Sequence, residues 1–282
     1  MPLEKFNKLL LALSIAMALL FVVALVTNST RLWIIITDLG EEVIYIALSV
    51  ALYSFAPSVA FLVVSILLLS IDINLLLKNI LAIPRPPKEL WRAPASGYAF
   101  PSGHAQVSST FWYSIAFNLR NRYMLLLATI VCVSIAVSRV ALGVHWVQDV
   151  IGGYAIGLAL SATSELLSRR LGYAKSVLVI LAMTLLLSAP TIVVASEETS
   201  FHALAVTLGM LVATPLHLKT MKIVEGFSTK LKFVNMILTL MLVGGVVLVE
   251  RRLIWSYRQL LYTLIPIIIV LTPYTLHKIR KI

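Results

Sequence analysis

The chain has 282 residues, of which 60% are hydrophobic and 12% charged, and its formal net charge is +11. Soluble domains carry about 25% charged residues, so this composition excludes an ordinary soluble protein and indicates an integral membrane one. The Lys and Arg excess lies between apolar runs, not on a stripe interleaved with aromatics, which argues against nucleic acid as a partner. Cys132 is the only cysteine, so no intrachain disulfide can form.

Taken in order, Lys5 and Lys8 precede an apolar run over 9–26. It is long for a signal peptide and lacks a small-x-small cleavage site, so an uncleaved first span is expected. Nine further runs follow, near 41–56, 58–77, 103–119, 123–139, 144–168, 175–195, 201–218, 233–249 and 254–275. Each approaches the roughly 20 residues a helix needs to cross a bilayer. Strand alternation is scarce, and in lipid only helices or closed barrels satisfy the backbone. The expected fold is therefore all-α, a polytopic bundle of membrane helices.

Ten spans put both termini on one side with fourteen Lys and Arg, against nine on the other. Three of those nine, Lys78, Arg85 and Arg139, have a chemical use. The positive-inside bias then predicts cytoplasmic termini and polar segments that open outside the cell membrane. Trp33, Trp91, Trp146 and Trp255 fall near the outer ends, where an aromatic belt would sit.

Three polar segments interrupt the apolar pattern, and this topology brings all three to one face. The first runs from Lys78 to Pro86, with Arg85 inside it. The second is Pro101-Ser102-Gly103-His104. The third, Ser138 to Asp149, holds Arg139, Gly143, His145 and Asp149. A phosphate ligand would use every piece. Lys78, Arg85 and Arg139 supply positive charge, with Arg forks gripping phosphate oxygens. Ser102 and Gly103 open a helix whose free N–H groups favour an anion. A helix from Val144 onward would stack His145 on Asp149, and the carboxylate would fix the imidazole tautomer. Two histidines can then divide the work, one attacking phosphorus and one protonating the departing oxygen. Taken singly, each fragment is as well explained by an interfacial anchor, a helix cap or a helix-surface pair. A metal site is not expected, because HxxxD has no third ligand close by in sequence.

The ordered pattern Lys-x6-Arg-Pro, Pro-Ser-Gly-His, Ser-Arg-x5-His-x3-Asp resembles the type-2 phosphatidic acid phosphatase (PAP2) superfamily over about residues 40–165. That resemblance implies a six-helix membrane core and metal-independent hydrolysis of a phosphate ester or anhydride, without a cofactor. It further implies His145 as the nucleophile of a phosphohistidine, Asp149 as its orienting partner and His104 as general acid. Lys78, Arg85, Ser102, Gly103 and Arg139 would hold the phosphoryl oxygens.

The expected organisation is a catalytic core over 1–170 and an extension of about four membrane helices over 171–282. The extension resembles those of sphingosine-1-phosphate phosphatases and glucose-6-phosphatase, and its expected role is packing or a homodimer surface. A site at the outer interface suits a lipid phosphate or diphosphate, a polyprenyl diphosphate first, because the tail can stay among the membrane lipids. A sugar phosphatase, a lipid phosphotransferase and a transporter or scramblase are the competing expectations. Asp72 is expected either to hydrogen-bond within the core or to steady the site. Gly153 and Gly157 form a close-packing pair.

Overall fold

The computed structural model describes residues 3–250 and 252–280, with the backbone alone at 255 and 256. Arg251 and Lys281 of the charge comparison, and the Trp255 side chain of the aromatic belt, lie outside the described residues. Eleven α-helices and no strand occur among the described residues. They are α1 Leu3–Thr27, α2 Thr30–Asp38, α3 Glu42–Phe55, α4 Pro57–Leu81, α5 Gly103–Leu119, α6 Arg122–Ala141, α7 Val147–Leu171, α8 Tyr173–Ala195, α9 Glu198–Glu225, α10 Thr229–Glu250 and α11 Trp255–Ile279. Eight of these, α1, α4 and α6 to α11, are long and apolar enough to cross a membrane. The protein is an all-α, multi-pass membrane bundle.

Each expected apolar run has its helix, and local chemistry sets the boundaries. Pro57 stands at the first position of α4, where its missing N–H costs nothing, and it stops α3 at Phe55. The Asn121 side chain caps α6 by accepting from the N–H groups of Tyr123 and Met124. Two features differ from expectation. Helix α2 was not anticipated, since nine residues are too few to read as a span. Helix α7 begins at Val147 rather than Val144, for a reason given with the site below.

The residues gather into two compact units, Met1–Tyr45 with Ile73–Leu167 and Ile46–Asp72 with Ser168–Ile282. In the first, α6 packs against α1, α2 and α5. Its core includes Ala105, Ala136 and Val150, with Tyr45 and Phe111 ring to ring at 4.8 Å. Helix α7 meets α5 through Gly153 and Gly157. A Cβ at 153 would stand 2.5 Å from the Ser102 carbonyl oxygen, and one at 157 would stand 2.3 Å from that of Gln106. Beyond these glycines, Ser161 Oγ donates across to the carbonyls of Ser109 and Thr110. Trp33 is 2% exposed, lies edge-on to Phe21 and donates to Asn28 Oδ1. Interior packing, not a membrane belt, accounts for it.

In the second unit, α9 packs against α8 and α11, and α10 against α11. Its core includes Val50, Ala205, Val243, Tyr262 and Ile265. His217 is buried between the hydroxyls of Tyr53 and Tyr173 and stacks on Phe61 at 3.9 Å, so its polar atoms are satisfied. Asp72 accepts from Ser188 Oγ at 2.7 Å, which gives it the core role of the two expected.

The glycine contact between α5 and α7 is testable. Gly157→Ala overpacks the seam and should cost about 1–3 kcal/mol, seen as a lower melting temperature of detergent-solubilised protein. Gly245→Ala, where an added Cβ meets nothing within 4 Å, should leave the melting temperature unchanged or slightly raised.

Candidate active site

The site forms at one end of the first unit, where the chain leaves one helix and enters the next. Lys78 lies in the last turn of α4, and its Nζ donates to the Tyr98 carbonyl at 2.8 Å. Arg85, in the connection that follows, ties two loops together. Its Nε and Nη2 donate to the carbonyls of Ser96 and Gly97, and its Nη1 donates to the carbonyl of Val144 at 2.8 Å. The same Nη1 lies 2.9 Å from His145 Nε2.

Ser102 precedes α5, yet its hydroxyl makes no capping hydrogen bond and is buried without a partner. The first N–H groups of α5 therefore keep their donor capacity and positive end. The Ser102 N–H donates to the Asp149 carbonyl at 2.9 Å, joining the two polar segments. Gly103 permits a close approach, since a Cβ there would stand 3.2 Å from Asn74 Oδ1. Asn74 in turn donates to the Pro101 carbonyl and to Gln106 Oε1, which steadies the start of α5.

Arg139 is buried in the last turn of α6, with Nη1 donating to Thr37 Oγ1 at 2.9 Å and Nε left without a partner. Gly143 then turns the chain at φ +72°, and a Cβ there would collide with the Leu90 carbonyl 2.0 Å away. Only glycine meets both demands.

His145 lies in this turn, two residues before α7, and not on the helix itself. Asp149 sits at the third helical position and reaches back, its Oδ2 accepting from the Trp146 N–H at 2.8 Å. A carboxylate at that position is the N3 half of a capping box, and it sets the start of the helix at Val147. The same Oδ2 lies 3.3 Å from His145 Nδ1. The pairing expected from helical stacking is thus made by a cap.

This geometry assigns the proton. A guanidinium only donates, so His145 Nε2, facing Arg85, must be the acceptor. The N–H is then on Nδ1, directed at Asp149. Burial, and then the charges of Arg85, Lys78 and Arg139, hold His145 well below the usual imidazole range, against the hydrogen bond to Asp149. The neutral form, with Nε2 as the acceptor, is the one present near neutral pH. Arg85 is lowered by burial and raised by Asp149, and an arginine stays charged under either influence.

His104 faces a residue not anticipated from sequence. Its Nε2 lies 3.2 Å from Glu41 Oε1, in the link between α2 and α3. The hydrogen bond to His104 holds the Glu41 carboxyl below the usual range, with help from the charges of His104 and Arg139 and against partial burial. The signal was available: 38–42 reads Asp-Leu-Gly-Glu-Glu, a polar break at the start of a span on the face already chosen.

All eight residues singled out from sequence fall in the first unit. Hydrogen bonds connect Arg85, His145, Asp149 and Ser102, while the charges of Lys78 and Arg139 act on both histidines. Three aromatic side chains lie nearby, at 98, 100 and 146. Tyr98 and Trp146 are exposed, but the Phe100 ring lies against Gly152, where a Cβ would meet it at 2.4 Å.

Residues 58–173 match the family model of the PAP2 superfamily. Phosphatidylglycerophosphatase B of Bacillus subtilis is 35% identical over 74 residues, 23% of this chain and 36% of that protein. Undecaprenyl-diphosphatase of Sulfolobus acidocaldarius is 29% identical over 140 residues, 47% of this chain and 68% of that protein. Sphingosine-1-phosphate phosphatase 2 of Mus musculus is 29% identical over 135 residues, 44% and 38% of the two chains. The crystal structure of the PAP2-type phosphatidylglycerolphosphate phosphatase of Bacillus subtilis superposes with TM-score 0.45 and 22% identity, over 59% of this chain and 94% of that one.

Asp149→Ala removes the oxygen that accepts from both the His145 Nδ1–H and the Trp146 N–H, so the ring loses the partner that holds its tautomer and orientation. Turnover should fall by about 10³–10⁴-fold. A loss below ten-fold would contradict the assigned tautomer.

Proposed function

We propose that the protein is a membrane phosphatase acting on a lipid phosphate or diphosphate, with His145 as nucleophile and His104 as acid and base. The observation that carries this reading is the orientation of His145, with Nδ1 against a buried carboxylate and Nε2 against a guanidinium. Simple anion binding has no need of a neutral imidazole whose lone pair is aimed among three cations.

In the proposed reaction, phosphoryl oxygens take up donors from Lys78, Arg85, Arg139, Ser102 and the N–H groups opening α5. Arg85 Nη1 then bonds to phosphate, which frees the His145 Nε2 lone pair. That pair forms the N–P bond as the P–O bond to the leaving group breaks, and the His104 proton passes to the departing oxygen. The charges placed around phosphorus stabilise the transition state without moving. Water then attacks the phosphohistidine, giving its proton to the now neutral His104, and inorganic phosphate leaves. The Ser102 hydroxyl and the Arg139 Nε–H, both buried without partners, fit this role because each is a donor that an oxyanion would satisfy.

The lipid part of the reading is supported by three relatives named for lipid phosphates or diphosphates and by a site at the ends of membrane helices. A polyprenyl diphosphate is our first choice. We assign the termini to the cytoplasm and the site to the outer face of the plasma membrane, on the distribution of Lys and Arg. The chemistry is assigned to residues before about 170, with the later helices as a packing extension.

Purified protein assayed in EDTA should release phosphate from polyprenyl diphosphate; His145→Ala should lower turnover by about 10³-fold or more and His104→Ala by about 10²–10⁴-fold. Vanadate, a mimic of pentacoordinate phosphorus, should inhibit. Ordinary turnover by His145→Ala would refute the assigned roles. Transfer of phosphate to an added lipid or sugar alcohol in preference to water would make the protein a phosphotransferase instead.

A further inference from the structure

We propose that Glu41 is a positioning residue for His104, holding that imidazole in its acid form and in place; this rests on the phosphatase reading above. The contact is direct, with Oε1 3.2 Å from Nε2. The chain around it is built to the ring. Gly40 backs His104 so closely that a Cβ there would stand 3.0 Å from Cδ2 and 3.1 Å from the Thr37 carbonyl. Thr37, in the last turn of α2, receives the Arg139 hydrogen bond. One short stretch, 37–41, thus anchors a phosphate-binding cation and the proton donor together.

The electrostatics explain why such a partner is needed. A general acid must carry its proton when substrate arrives. Three charged side chains act on His104: Arg139 from α6, Lys78 from α4 and Glu41 from the α2–α3 link. The two cations, together with burial, disfavour the imidazolium, and the Glu41 carboxylate opposes them. Glu41 is suited to do so continuously. Its side chain is 57% exposed, which spares it most of the cost of burying a charge. It neither gains nor loses a proton through the cycle: the His104 proton goes to the leaving oxygen and is replaced from water.

The site then has two carboxylate–histidine pairs with opposite tasks. Asp149 meets His145 at Nδ1 and leaves Nε2 as an acceptor. Glu41 meets His104 at Nε2 and favours its charged form. Glu41 also lies before the segment 58–173 that matches the family, so the assignment adds to what that match implies.

The test is Glu41→Gln, which keeps the size and removes the charge at a half-exposed position. Its kcat/KM profile against pH should lose its basic limb roughly one pH unit earlier than wild type. On an alkyl phosphate at about pH 8 the rate should fall about ten-fold, with wild-type rates regained in acid. With p-nitrophenyl phosphate, whose leaving group departs without a proton, the loss should shrink to about two-fold or less. Glu41→Asp should keep the wild-type limb. A Glu41→Gln profile superimposable on wild type, or equal losses on both substrates at every pH, would overturn the assignment. His145→Ala, assayed alongside, separates the two levels. If it is dead while Glu41→Gln behaves as wild type, only the role of Glu41 fails; if the wild-type protein itself releases no phosphate from either substrate, the phosphatase reading fails.

Discussion

The site depends on a line of hydrogen bonds that runs from Arg85 through the His145 ring to Asp149. Each end of the ring meets a group with a single capability. The guanidinium can only donate and the ionised carboxylate can only accept, so the imidazole is held in one tautomer by its neighbours. Asp149 is not spare for other uses. Its side chain also closes the first turn of α7, and its carbonyl receives the Ser102 N–H. The start of α7 and the orientation of the proposed nucleophile are therefore one structural decision.

Gathering three cations at the end of a membrane bundle is costly unless other groups stand in for water. The protein supplies them locally. Backbone carbonyls of Ser96, Gly97 and Val144 surround Arg85, the Tyr98 carbonyl receives Lys78, and Thr37 receives Arg139. Apart from Thr37, these acceptors come from loops that could not take their shapes with other residues at a few points. Gly143 turns beneath the Leu90 carbonyl, and Gly152 and Gly153 let Phe100 and the Ser102 backbone come against α7. A site of this kind is preorganised, because its dipoles are in place before the proposed phosphate arrives.

Much of this was legible in the sequence, and the exceptions have physical causes. Ten helices follow from apolar length alone. Helix α2 escaped because nine residues carry no span signal. The start of α7 was misread because the His145–Asp149 spacing fits both a helix face and an N3 carboxylate reaching back over a cap. The cap became readable only with the Trp146 N–H in place. Trp33 was misassigned because a belt tryptophan and a buried one look alike in composition, and only its contact with Phe21 and Asn28 separates them. Glu41 escaped because a glutamate at the start of a span is usually just solvated. Its meaning comes from Gly40 and His104, sixty-odd residues apart in the chain and adjacent in the fold.

The account stands or falls on which atom bonds to phosphorus. A direct measurement is rapid acid-free quenching of His104→Ala protein turning over radiolabelled p-nitrophenyl phosphate. This substrate can phosphorylate the enzyme without a proton donor, while the missing base slows hydrolysis of the intermediate. The account predicts an acid-labile, base-stable label on the peptide that carries His145, absent when His145 is also replaced. Label on another residue, or turnover that proceeds with His145 replaced and no phosphoenzyme at all, would contradict it.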